Sequence, residues 1–283
     1  MRRNVKGEVR EKMRGNMIEN ISKNLRFVLL LIKLKLSRMM AFRFSFWGAL
    51  FADGSLFLIQ LLTFETIYSQ VDSIGGWDRG QMIIFVGTFS IINALNMVIY
   101  FFGVVNIPEK IRNGDLDQYL TKPVNPLLRL TFENIDIGSI PLVILSILIV
   151  CYGVSVSGIQ ISFALGFGYT AFVLLMTLLW YDMELILRTI PFIVISANGI
   201  IQLVEAMLEL NFKVPGILYK GVFRLIFYFI LPYGIMATIP TQVITRSIST
   251  PSICISVFTV FVFTAFAMRF WRFGLTKYKS ASS

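Results

Sequence analysis

The 283-residue chain is 56% hydrophobic and 15% charged, with a mean hydropathy of +0.73 and a formal charge of +10. Apolar runs of 18 or more residues, the length that a ~30 Å hydrocarbon layer requires of a helix, recur at least five times, so the solvent for most of the chain is lipid. The basic residues lie between those runs and most of the 26 phenylalanines inside them, which excludes a nucleic-acid groove; histidine is absent and Cys151 and Cys254 sit in separate apolar stretches, which excludes ordinary zinc or haem sites and histidine-dependent catalysis.

Residues 1–17, MRRNVKGEVREKMRGNM, are basic and lead into no short apolar core with a cleavage site, so they read as a disordered cytoplasmic tail. Residues 18–283 read as one membrane domain of the all-α integral membrane class. Over 18–40 the apolar positions Ile18, Ile21, Leu25, Leu29, Ile32, Leu36 and Met39 step by three or four, with Lys23, Arg26, Lys33, Lys35 and Arg38 between them. That pattern predicts a basic amphipathic helix lying on the cytoplasmic face.

Spans are expected over 44–68 and 82–105, joined by a turn containing Gly75, Gly76 and Trp77. After a polar stretch, 106–134, spans over 138–156 and 159–181 form a tight hairpin about Ser157 and Gly158. Beyond Asp182 the apolar pattern is interrupted, and charge alone leaves the fifth span open between 189–210 and 222–239. Pro215, Gly216, Pro232, Gly234 and Pro240 break the segment 214–243, and a clean span over 252–271 follows. Irregular backbone at membrane depth survives only where protein or a water-filled cavity shields it, so 214–243 reads as a re-entrant hairpin. Twenty-one of the 26 lysines and arginines fall on one side of this arrangement, which places both termini in the cytoplasm and makes the number of spans six.

The loop 106–126 carries the most structured polar sequence. Pro108 suits the first position of a short helix and Gly114 its left-handed end. Asp115 suits a cap for a second turn bearing Leu116, Tyr119 and Leu120, which Pro123 and Pro126 stop. The expected product is a cytoplasmic knob with a small apolar face and a charged rim, shaped for docking on a protein.

The pattern Glu-x-Ile-Arg-x-Gly-x-Leu-x-x-x-Leu-x-x-Pro-Val, filled by Glu109, Ile111, Arg112, Gly114, Leu116, Leu120, Pro123 and Val124, resembles the coupling-helix loop of ABC-2 type transporter permeases. The closing FWRFGLTKYKSASS and the proline-broken stretch before the last span resemble one subgroup of that family, of the multidrug or viologen exporter kind. The resemblance covers roughly 18–283. It implies that the knob sits in a groove of a separate ABC ATPase, in two copies, where ATP and Mg²⁺ would bind, and that a second permease, identical or homologous, completes the pathway. It also implies that the fifth span is 189–210 and that the broken segment after it, with Pro215, Pro232 and Pro240, is an extracytoplasmic re-entrant pair forming an outer gate. The chain has no Gly-x-x-x-x-Gly-Lys-Ser/Thr loop and no cofactor site of its own, so it reads as a transport subunit of the plasma (inner) membrane rather than an enzyme.

Charges inside a span cost several kcal/mol and are functional candidates by default. Asp53, beside Gly54 and Ser55 in the first span, is a candidate for the pathway, as is Glu205, which shares a helix face with Glu209. Both would make the path attractive to cations. Glu65, Glu133, Asp136, Asp182, Glu184 and Arg188 fall near predicted span ends and read as interfacial. A secondary transporter or channel would call for inverted repeats with paired broken helices, and a membrane-embedded transferase for clustered carboxylates or histidines. The chain offers one broken region and neither cluster.

Overall fold

The computed structural model describes residues 28–31, 33, 43–122, 124–194 and 197–278. The predicted tail 1–17, most of the predicted interfacial helix and Pro123 lie outside them. Regular structure among the described residues is helical. α1 is Arg43–Tyr68. α2, Arg79–Asn96, runs on through a π-helical turn, Met97–Phe101, and a last turn, Phe102–Val104. The polar loop folds as α3 (Ile107–Asn113), α4 (Asp117–Leu120) and α5 (Pro126–Phe132). α6 (Ile140–Ser157) and α7 (Phe163–Thr189) form the predicted hairpin, turned by Gly158 at φ +64°. α8 is Asn198–Lys213; α9 (Gly221–Leu225) with a π turn, α10 (Tyr233–Met236) and α11 (Thr238–Ile244) make the broken region; α12 is Thr250–Lys277.

Local chemistry sets the starts of the long helices. Asp78 and Gln81 form a reciprocal capping box at α2, while Ser162 and Ser249 accept from the first turns of α7 and α12. Four helical stretches are long and apolar enough to cross a bilayer: Arg79–Asn113, Ile137–Ser157, Phe163–Phe192 and Thr250–Lys277. A fifth is added if Gly221–Ile230 and Tyr233–Ile244, bent by 79° at Pro232, count as one.

Two boundaries differ from the sequence reading. α7 runs to Thr189 rather than stopping near 181, so Asp182, Glu184 and Arg188 lie within a helix and are buried. The stretch 189–210 is two pieces: a 3-10 turn, Ile190–Phe192, ends the α7 rod, and helix resumes only at Asn198. Pro191 cannot continue the hydrogen-bond ladder, which accounts for the break.

α2 and α6 pack backbone to backbone through Gly80, Gly87 and Gly153. A Cβ on Gly87 would meet the Val150 nitrogen at 2.9 Å, and one on Gly153 the Ile84 nitrogen at 2.8 Å. Small residues permit such approach where lipid supplies no hydrophobic drive between helices. The main core lies around this pair and α7, with Met82, Ile84, Phe85, Met176, Leu179 and Trp180 almost fully enclosed. At one end of the bundle Tyr68 donates to the Trp77 carbonyl (2.9 Å) and Arg246 to the Gln160 carbonyl (3.2 Å). The polar loop occupies the other end, over a second apolar cluster that includes Val104, Ile107, Leu185 and Trp271.

Candidate functional site: a helical knob and the charged interior beneath it

The knob is built by its turns. Pro108 occupies the first turn of α3, where a missing N–H costs nothing, and Gly114 closes it at φ +76°. The chain then doubles back, with the Leu116 N–H donating to the Lys110 carbonyl (3.2 Å). α4 starts from Leu116 without a side-chain cap, so the expected Asp115 cap is not formed. Instead, Leu116 is fully enclosed and Tyr119 nearly so, both in the second apolar cluster with Ile107, Leu127 and Leu130. These residues hold the knob down on the bundle.

A polar tie joins the three short helices. Lys110 Nζ donates to the Tyr119 hydroxyl (2.8 Å), which donates to Glu133 Oε2 (2.7 Å), and Lys110 also pairs with Glu133 Oε1 (3.0 Å). The Arg129 guanidinium lies 4.3 Å from the centre of the Tyr119 ring. Burial first, and also the Glu133 carboxylate, raise the Tyr119 phenol above its ordinary value, so it stays a neutral donor. Sequence reasoning missed this tie, because its members are spread over 24 positions and only folding brings them together.

Among the predicted coupling residues, Glu109, Arg112 and Leu120 are exposed, Ile111 is partly buried against the cluster, Gly114 makes the turn and Leu116 points inward. The outward face is therefore mainly charged and polar, with Leu120 as its apolar point. α3 rests on α7 and on the turn Ile190–Phe192. The knob therefore touches the α7–α8 junction.

Just above that junction Arg188 Nη2 pairs with Glu205 Oε1 of α8 (2.7 Å) and with Glu184 Oε2 one turn back (3.3 Å). The Arg188 and Glu184 side chains are 6% and 4% exposed, and Trp180 donates to Glu184 (3.4 Å). Two residues before Glu184, Thr264 of α12 donates to Asp182 Oδ2 (2.5 Å). Each buried charge has an opposite charge or a donor, which is what burial demands.

Asp53 and Glu205 are not brought together. Asp53 lines a cavity of about 180 Å³ with Asn93 and Glu209, walled by Phe57, Phe89, Trp180 and Phe212. An adjoining cavity of about 540 Å³ shares Leu56, Glu209 and Phe212 with it and adds Gln60 and Lys213. Gln60 donates to the Phe212 carbonyl (2.5 Å), leaving its own buried oxygen without a partner. Glu205 and Glu209 do share a face of α8, but Arg188 captures the first and leaves the second to the cavity.

In the broken region Pro215 precedes a 3-10 turn, Pro232 stands at the 79° bend and Pro240 lies in the first turn of α11, where its ring is tolerated. The two arms close on each other through Gly216, whose N–H donates to Thr238 Oγ1 (3.0 Å).

Long apolar rods, polar groups gathered inside the bundle and a fixed knob at one end are the make-up of a multi-pass membrane transport subunit. A family model described as ABC-2 family transporter protein matches residues 55–282, and the chain belongs to that family. Membership implies an ABC ATPase as partner. No curated protein and no solved structure matches the chain.

Proposed function

We propose that this chain is the permease of an ATP-driven exporter of an amphiphilic compound such as a drug, a peptide or a lipid-linked glycan. The knob docks in a groove of a separate ATPase, present in two copies, which holds the ATP and Mg²⁺. A second permease, identical or homologous, completes the assembly. In this reading the protein sits in the plasma (inner) membrane with both termini in the cytoplasm. Six spans cross it: α1, α2, α6, α7, α8 and α12. The segment 214–243 enters from the outside and turns back at its prolines as an outer gate. The Asp53–Glu209 cavity is part of the path, and Arg188–Glu205 joins α8 to the rod on which the knob rests.

The observation that carries the reading is the division of labour in the knob. Leu116 and Tyr119 anchor it, while Glu109, Arg112 and Leu120 face outward with no partner among the described residues to explain their grouping. Affinity purification from native membranes, with mass spectrometry and an ATPase assay, tests it. The wild-type chain is expected to bring down an ABC ATPase, and Glu109→Lys and Leu120→Asp to lose it while remaining monodisperse. A well-behaved wild-type chain without an ATPase, or one whose ATPase is indifferent to both substitutions, would overturn the reading.

A further inference from the structure

Two apolar cavities lie side by side on the flank of the knob-bearing end, one of about 400 Å³ and the other of about 380 Å³, and both are lined by Ile99 and Phe132. Ile99 belongs to the π turn that interrupts α2, and such turns redirect side chains out of a helix's regular packing. The first lobe runs between α5, α7 and α12. On α7 it extends from Leu174 to Tyr181, seven residues or roughly 10 Å along the helix axis. It therefore offers an acyl chain roughly 10 Å of continuous wall along α7.

The walls offer carbon. The Tyr100 hydroxyl donates to the Thr177 carbonyl (2.9 Å), and Thr131 shares a hydrogen bond with Tyr181 (2.9 Å), so these lining hydroxyls are already engaged. Among the described residues the second lobe is lined by aliphatic and aromatic side chains, with Val28 bordering it beside Val98, Ile135, Ile137 and Ile140. Both lobes open sideways: Leu174, Met268 and Ile140 are 56%, 41% and 40% exposed. At the polar mouth of the first lobe stands Asn125, and Arg272, exposed, follows Met268 by one helical turn on the same face of α12.

We propose that this pair of lobes holds one diacyl glycerophospholipid with an anionic headgroup. One chain lies in each lobe astride Ile99 and Phe132, and the phosphate is at Arg272. Two lobes of near-equal size sharing one partition fit two chains on one backbone. A basic residue one helical turn beyond Met268, beside a pocket between membrane helices, fits an anionic headgroup. The lipid would wedge between the knob's α5 and the rods it sits on, a seam that moves if the knob moves.

Native mass spectrometry of the detergent-purified chain tests this with three probes: dioleoyl phosphatidylglycerol, dioleoyl phosphatidylcholine and mono-oleoyl lysophosphatidylglycerol. The two-chain anionic lipid is expected to be retained about tenfold over its one-chain form, because single chains anchor only marginally. Arg272→Gln is expected to cut the preference for phosphatidylglycerol over phosphatidylcholine about fivefold, the value of one basic residue near an anionic surface. Leu128→Trp and Ile137→Trp, each filling one lobe, are expected to reduce the two-chain lipid to the one-chain level. Equal retention of one- and two-chain lipids, or indifference to both tryptophans and to Arg272→Gln, would overturn the proposal. So would a change of oligomeric state in the tryptophan variants with no change in lipid, which would assign this face to a second permease.

Discussion

Arg188 shows how one residue binds distant parts of the chain. Its guanidinium neutralises Glu184 on its own helix and Glu205 on the next, across the break that follows Phe192. Replacing it by leucine leaves Glu184 buried, and the half-exposed Glu205 beside it, with no cation, and removing one partner of a buried pair costs about 3–5 kcal/mol. Arg188→Leu is expected to lower the thermal midpoint in detergent markedly, with part of the loss recovered when Glu184→Gln and Glu205→Gln are added. An Arg188→Leu chain that melts with the wild type would show that the triad contributes nothing. At the same scale the sequence showed that Glu205 and Glu209 share a face, but not that they part company. Arg188 reaches one of them because α7 continues past Asp182, a length that hydropathy alone underestimates when charges inside a helix are paired.

The α2–α6 pair is the element on which the bundle is centred, and its closeness rests on glycines at 80, 87 and 153. Gly87→Leu would drive a side chain into the Val150 backbone, so the helices must separate, and overpacking of this kind costs about 1–3 kcal/mol or more. Loss of monodisperse protein on size exclusion is expected for that variant. Gly199→Ala, in α8 with open space around it, is expected to be neutral or stabilising, since alanine gains about 1 kcal/mol of helix preference over glycine. Equal behaviour of the two variants would refute the close-packing account. The knob is the second instructive element. Its boundaries were readable from Pro108 and Gly114, whereas its anchoring was not: the apolar residues that looked like a docking face, Leu116 above all, are what the knob stands on.

At the scale of the molecule, α3 touches α7 and the turn Ile190–Phe192, Arg188 joins α7 to α8, and α8 carries Glu209 into the cavity that holds Asp53. This is a continuous chain of packed and paired groups from the proposed ATPase contact to the proposed path. If the path prefers cations, Asp53→Asn with Glu209→Gln is expected to reduce export of a hydrophobic cation several-fold in inverted vesicles, while a neutral amphiphile of similar size is unaffected, because a carboxylate in a dry cavity attracts charge far more strongly than in water. Unchanged export of every cation tested would rule out that role for both carboxylates.

The sequence by itself determined that the chain lives in a bilayer, that its long helices are apolar rods, where most of them begin, and that the polar loop folds into short helices, the first ended by Gly114; Pro126, expected to stop a helix, starts one instead. Those properties follow from composition, local caps and backbone dihedral limits, which act over a few residues. The tertiary structure alone decided which carboxylate meets Arg188, that Asp53 shares its cavity with Glu209 rather than Glu205, that Leu116 faces inward, and that Lys110, Tyr119 and Glu133 form one tie. Each of these depends on how far a rod continues and how it is rotated against its neighbours. Rotation is set by packing between residues remote in sequence, at glycine contacts and buried ion pairs that no local pattern records.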